Sequence, residues 1–127
     1  MTVELNHTIV HALDKHASAA FLARILDLPI GDPWGPFVPI SVGCVGLDYV
    51  DHDGDLTPQH YAFLVGDDDF DGALARIAED GVQIWADPHL HEPDRINNHY
   101  GGRGLYFHDP AGHLMELITE PYSEEPA

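Results

Sequence analysis

Ten histidines stand in a chain that carries only five lysines and arginines together. An imidazole titrates near neutrality and binds transition metals, so such an excess directs attention to metal chemistry. Two of the histidines, His7 and His60, each sit in a short apolar, strand-like run, Asn6-His7-Thr8-Ile9-Val10 and Gln59-His60-Tyr61-Ala62-Phe63-Leu64-Val65. Glu116 lies in a third such run, between Met115 and Leu117-Ile118. Burying a carboxylate there without a partner would cost several kcal/mol, on the order of the penalty for desolvating an unpaired ion. A metal ion is one partner that removes this cost. Two neutral imidazoles and one carboxylate on a common face leave coordination positions open, the donor set of non-haem Fe(II) or Mn(II) centres that must also bind substrate or dioxygen. Asp48, in Val45-Gly46-Leu47-Asp48-Tyr49, is a further carboxylate at a comparable place in the first half.

The elements that would position these groups form a degenerate repeat. The strand-like run at His7 is followed by a helix-like run from Ala17 to Leu26, ending near Pro29 and Gly31. The run at His60 is followed by a second, from Phe70 to Ala78, closed by Gly81. Leu-Ala-Arg-Ile occurs in both helices, beginning at Leu22 and Leu74, an offset of 52 against 53 for the two histidines. The matched order of elements favours duplication over coincidence. Further strands are predicted at Phe37–Val42 and Val45–Val50 in the first half, and at Val82–Ala86, Leu105–His108 and Leu114–Thr119 in the second. The polar stretch from Asp87 to Gly104, with two prolines, two asparagines and several glycines, reads as a long functional loop. The predicted fold is α+β: two βαβββ modules, about 4–52 and 58–121, forming one open barrel around one metal site in a single domain spanning 1–127.

Composition narrows the function. A net charge of -17 repels phosphate backbones and anionic lipid, so neither nucleic acid nor membrane is an expected partner. Runs such as Asp67-Asp68-Asp69 read as solvated surface. No apolar run reaches the roughly 20 residues of a membrane span, and the N-terminus lacks the features of a secretory signal, so a cytoplasmic protein is expected. Cys44 is the only cysteine, which excludes an internal disulfide, and its apolar neighbours Val42 and Val45 predict a buried thiol.

From Asn6 to Glu120 the chain resembles the vicinal-oxygen-chelate superfamily, which includes glyoxalases, bleomycin-resistance proteins and extradiol ring-cleaving dioxygenases. The most specific part runs from Asn97 to Glu116: His99, a short spacer, Leu105-Tyr106, then Asp109-Pro110-Ala111-Gly112 and the closing Glu116. This order is similar to the signature of the type I extradiol dioxygenases. The Asp-Pro-x-Gly part is shared widely in the superfamily and reads as a turn. The resemblance implies that Glu116 is a metal ligand, with His99 and Tyr106 close to the metal as proton-transferring and hydrogen-bonding groups. It also implies a homodimer, the usual state of members of this size.

Three functions follow as expectations. The leading one is an extradiol-type dioxygenase acting on a small catechol-like substrate, with His7, His60 and Glu116 holding Fe(II). Mn(II), Zn(II), Ni(II) or Co(II) are alternative ions. The second is a glyoxalase-like lyase or isomerase in which Asp48 completes the metal site, and the third is a metal-free protein that sequesters an antibiotic. Trp34, Trp85 and Tyr61 are expected cavity-lining residues under each. His89, His91, His108 and His113 have no counterpart in the repeat and read as surface or loop residues.

Overall fold

A computed structural model describes residues 2–123. The chain divides into two compact units, one ending at Pro58 and taking in Asp109–Ala111, the other running from Gln59 to His108 and from Gly112 onward. In the first, β1 (His7–Ala12), α1 (Lys15–Leu26), β2 (Val38–Val42) and β3 (Val45–Asp51) build a three-stranded sheet in the order β1-β3-β2. In the second, β4 (His60–Leu64), α2 (Asp67–Glu79), β5 (Gly104–His108) and β6 (Leu114–Ile118) repeat the plan in the order β4-β6-β5. In each sheet the opening strand runs parallel to the closing strand, and the last two strands form an antiparallel pair. This is the α+β architecture expected from the repeat.

The fifth element of each predicted module is present only as a single bridge. Ile30 pairs with Ile40 in the first unit and Trp85 with Tyr106 in the second. The predicted strand Val82–Ala86 therefore reduces to the mutual backbone bonds of Trp85 and Tyr106, of 2.9 and 2.8 Å. Two features stop it from extending. Trp85 and Ala86 turn back onto Pro93 and Glu92, and Pro88 and Pro93 have no N–H to offer a ladder.

Side-chain alternation decides what each sheet presents. Val10 and Ala12 of β1, with Leu47 and Tyr49 of β3, are buried on one face together with Leu22 and Ile25 of α1. His7, Ile9 and His11 lie on the other face of β1, beside Gly46, Asp48 and Val50 of β3. The second unit divides in the same way: Phe63, Leu105, Phe107, Met115 and Leu117 form the core with Phe70, Ala73 and Ile77 of α2. Its other face carries His60, Ala62 and Leu64 of β4 and Glu116 of β6. The period-two alternation is thus what separates core from chemistry.

Local signals set the ends of the elements. Asp14 caps α1, its carboxylate accepting from the backbone N–H of His16 and Ala17. Asp67, Asp68 and Asp69 occupy the first turn of α2, where the helix dipole favours negative charge. Asp67 and Asp71 also bind the Arg103 guanidinium, at 3.1 and 2.7 Å, and Arg103 lies 4.6 Å from the centre of the Phe70 ring. These two hydrogen bonds hold the guanidinium pKa above its ordinary value. The acidic run is therefore partly engaged rather than simply solvated.

Two sequence expectations are corrected. Cys44 is exposed, because Val42 pairs with Val45 and leaves Gly43-Cys44 as a two-residue hairpin tip. Gly43, at φ 58°, supplies the positive angle that such tight turns demand. His113 lies in the loop before β6, but it is fully buried rather than at the surface. Its Nδ1 accepts the Gln59 N–H at 2.9 Å and its ring meets Tyr61 edge-on.

Removing the α1 cap tests this account of helix formation. Asp14→Ala should lower unfolding stability by about 1 kcal/mol, the usual worth of such a cap, read as a shifted urea midpoint at unchanged slope.

Candidate functional site

The second unit brings three of the sequence-predicted site residues together. Glu116, at 2% exposure, is enclosed on β6 between the strands that carry Ala62 and Tyr106 at its own register position. His60 enters from the start of β4, and its Nε2 lies 3.0 Å from Glu116 Oε1. Its other ring nitrogen, Nδ1, donates to the Leu114 carbonyl at 3.0 Å. A carbonyl only accepts, so Nδ1 holds the proton and the lone pair of a neutral ring belongs to Nε2. Two lone-pair atoms at this separation need a cation between them, either a proton or a metal ion. Donors about 2.0–2.2 Å from one metal lie roughly 3 Å from each other, so this spacing suits both ligands of a single ion. A backbone carbonyl on the distal nitrogen is also the usual means of orienting a metal-binding histidine.

Tyr106 stands beside Glu116 on β5 and is almost fully buried. Its ring stacks on His60 at 6.2 Å, and its hydroxyl lies 3.2 Å from that of Tyr122. Tyr122 in turn donates a short hydrogen bond to Glu116 Oε2. The carboxylate thus has a partner on each oxygen. Burial, with the Tyr122 hydrogen bond and the Glu116 carboxylate, pushes the Tyr106 phenol far above its ordinary range. Burial and the bond to Glu116 push Tyr122 upward as well. Both phenols are held neutral and able to donate a hydrogen bond.

Tyr122 is the residue that sequence reasoning missed. It follows Pro121 in a polar C-terminal segment with no periodicity and no repeat partner. His99, by contrast, does not touch Glu116, His60 or Tyr106 directly. It lies exposed at the start of the short 3-10 turn His99–Gly101, its backbone N–H bonded to the Asn97 side chain. Its ring meets Tyr100 edge-on at 6.5 Å, and Tyr100 stacks on Tyr122 at 4.9 Å. A run of aromatic contacts therefore joins His99 to the phenol on Glu116. Gly104, opposite Asn97, allows this loop to close: a Cβ there would stand 2.8 Å from Asn97 Oδ1.

In the first unit, His7 is exposed and its Nδ1 donates to Asn6 Oδ1 at 2.7 Å, leaving Nε2 as the outward lone pair. Asp48 is buried at 7% exposure. An open cleft of 390 Å³ is lined by His7 and Asp48 together with Trp34, Ser41 and Cys44. His7 pairs with Gly46 and Ile9 with Asp48, as His60 pairs with Leu114 and Ala62 with Glu116. Each histidine thus opens its strand two residues before the position that faces an acid. Among the described residues, no three His, Cys, Asp or Glu side chains gather within a unit into a ready metal cluster. No helix among them is long and apolar enough to cross a membrane.

The two perturbed phenols are open to test by alkaline titration. Because Tyr106 and Tyr122 have folded-state pKa values above the ordinary value of about 10, their contribution to stability is complete below pH ~10 and is lost as pH rises beyond it. Phenolate absorbance should show Tyr106 and Tyr122 resisting ionisation until the protein unfolds. Tyr106→Phe should remove one of them and flatten the alkaline loss of stability.

The pattern of the Glyoxalase/Bleomycin resistance protein/Dioxygenase superfamily matches residues 4–117. Among solved structures, the oxidase ChaP-H2 is 56% identical with a TM-score of 0.95, over 97% of this chain and 98% of that one. Among characterised sequences, the glutathione transferase FosA of Serratia marcescens is 31% identical over 124 residues, 92% of this chain and 81% of FosA. The fosfomycin resistance protein FosX of Listeria monocytogenes, 23% identical, shares the fold with a TM-score of 0.72 over 98% of this chain and 97% of its own. The repeated strand-helix-strand-strand unit and the match along nearly the whole length together make this chain a member of the glyoxalase/bleomycin resistance/dioxygenase superfamily.

Proposed function

We propose that the protein is a metal-dependent oxygenase that opens a small catechol-like substrate beside its hydroxyls, with His7, His60 and Glu116 as metal ligands. The observation that carries this reading is the approach of His60 Nε2 to Glu116 Oε1 with Nδ1 already committed to a carbonyl. His7 is included because it holds the equivalent register position in its own sheet, with its own Nδ1 likewise bonded. The two units are then the paired modules of one domain. Two imidazoles and a carboxylate fit Fe(II) best and would also take Mn(II), Zn(II), Ni(II) or Co(II). When bound, the ion supplies Lewis-acid activation of the diol oxygens and the means of reacting with dioxygen. The likeness to an oxidase at 56% identity supports oxidation chemistry.

The chain's own residues would handle protons and orientation. Tyr122 spends its one hydroxyl proton on Glu116 and holds the carboxylate in place, while Tyr106, a neutral phenol beside it, can turn its hydroxyl to donate a hydrogen bond to an oxygen atom of a diol bound there. His99 is the proton-accepting candidate on the loop that abuts Tyr122 through Tyr100. Burial of Glu116 excludes water from the carboxylate and fixes its direction. The working form is proposed to be a cytoplasmic homodimer, which gives a role to the exposed side chains of Val3, Leu5, Ile9, Leu13 and Leu64.

One observation favours a second reading. Asp48 is buried on the same face as His7 and occupies the place in its sheet that Glu116 holds in the other. A fourth protein ligand would close the centre and suit a lyase or isomerase using Zn(II), Ni(II) or Co(II).

Metal analysis of protein purified without oxygen separates the two. His7→Ala, His60→Ala and Glu116→Ala should each lose most of the bound ion, because two remaining ligands hold a labile divalent ion weakly. Full metal content in any of them refutes that residue as a ligand. Asp48→Asn should keep its metal under the first reading and lose it under the second.

Oxygen uptake with a panel of catechols tests the chemistry itself. His99→Ala and Tyr106→Phe should retain metal while turnover falls roughly 100-fold, the scale of losing a positioned acid or base. The loss should appear mainly in kcat. Parent rates in both variants would remove the case for ring cleavage.

A further inference from the structure

A second pair of histidines faces the same side of the first sheet, at the opposite end of β1 from His7. His11 lies on the exposed face of that strand, paired in register with Val50. His52 follows the end of β3, its backbone N–H bonded to the Ala12 carbonyl at 2.9 Å. The two imidazoles meet edge to face, with ring centres 4.8 Å apart and planes at 82°. Their Nδ1 atoms stand 3.2 Å from each other.

The tautomer of His52 is fixed by its surroundings. Nε2 lies 2.9 Å from the Asp55 carbonyl, which can only accept, so the ring proton is on Nε2 and the lone pair is on Nδ1, aimed at His11. This is the arrangement by which a backbone carbonyl prepares a histidine for coordination. Two nitrogens about 2.0–2.1 Å from a shared metal are roughly 2.9 Å apart at a right angle and about 3.3 Å apart in a tetrahedron. The observed 3.2 Å falls within that interval. Backbone pairing of both segments holds the spacing, and a net charge of -17 raises the local concentration of cations.

We propose that His11 and His52 form a second metal site, a two-nitrogen chelate for a late first-row divalent ion such as Zn(II) or Cu(II), with water completing its coordination. Imidazole pairs select these ions over Mg(II) and Ca(II), which require oxygen ligands. The site is separate from the proposed His7, His60 and Glu116 set and does not depend on it.

The test uses the full chain, both as the parent and as Glu116→Gln, which removes the carboxylate of the first proposed site. Histidine ring nitrogens are followed by long-range proton–nitrogen correlation spectra at neutral pH during addition of Zn(II). The expected result is concerted movement of the Nδ1 signals of His11 and His52, in the parent and in Glu116→Gln alike. Cu(II) added in place of Zn(II) should give an electron-spin-resonance spectrum with two nitrogen donors. His11→Ala and His52→Ala should each weaken that binding at least about tenfold, since even loss of a group that only orients a ligand typically costs about 10–100-fold. Mg(II) should move neither signal. Unmoved His11 and His52 nitrogens, or Zn(II) and Cu(II) affinities in the two alanine variants equal to the parent's, would overturn the proposal.

Discussion

The organisation of the second unit turns on one carboxylate. Glu116 sits at 2% exposure in a strand whose alternate residues, Met115 and Leu117, are core. An ion so placed is tolerated only where the surroundings return what water would have given. Three side chains do this from three different places: His60 and Tyr122 on the two oxygens, and Tyr106 against the Tyr122 hydroxyl. Each is set by an element with its own reasons for being there. β4 brings His60 through its parallel pairing with β6, β5 brings Tyr106 through its antiparallel pairing, and Tyr100 stacks on Tyr122 from the loop before β5. The chemistry of the unit is thus the solution to a solvation problem.

The same problem explains why the polar groups form a connected set. A phenol whose ionisation is suppressed by burial and a neighbouring carboxylate is a dependable donor. A histidine with one nitrogen committed to a main-chain carbonyl presents the other in a defined direction. His7, His52 and His60 all show this commitment, although their partners differ: a side-chain amide, the Asp55 carbonyl and the Leu114 carbonyl.

Much of the fold was legible because its signals are local and repeated. Helices and strand alternation report on residues close in sequence, the offset between His7 and His60 matches two such local patterns to each other, and the strand ends differ from expectation by one or two residues. The failures are those in which a distant partner decides. Val82–Ala86 has strand composition, yet the return of the chain at Glu92-Pro93 engages Ile84 and Ala86 locally and leaves only Trp85 bridged to β5. Cys44 has apolar neighbours, but a hairpin tip exposes whatever occupies it. His113 has no repeat counterpart, but the Gln59 N–H that it satisfies lies 54 positions away. In the candidate site, Glu116 was legible as a charge in an apolar run, and His60 through its echo of His7. Tyr122 was not, since only the folded chain brings that terminal segment to the carboxylate.

The parallel register of β4 against β6 has a consequence for how this gene can change. Side chains alternate between faces, so Phe63 faces the core for the same reason that His60 and Ala62 face the acid. Deleting one codon between His60 and Phe63 would put these two residues on opposite terms: either the core keeps its phenylalanine and the imidazole turns inward, or the imidazole keeps its place and an aromatic ring is stranded in water. The hydrophobic core therefore acts as a check on the register of the chemical face. Substitutions can accumulate at the exposed Leu64, while changes in the length of the strand meet a barrier set by packing.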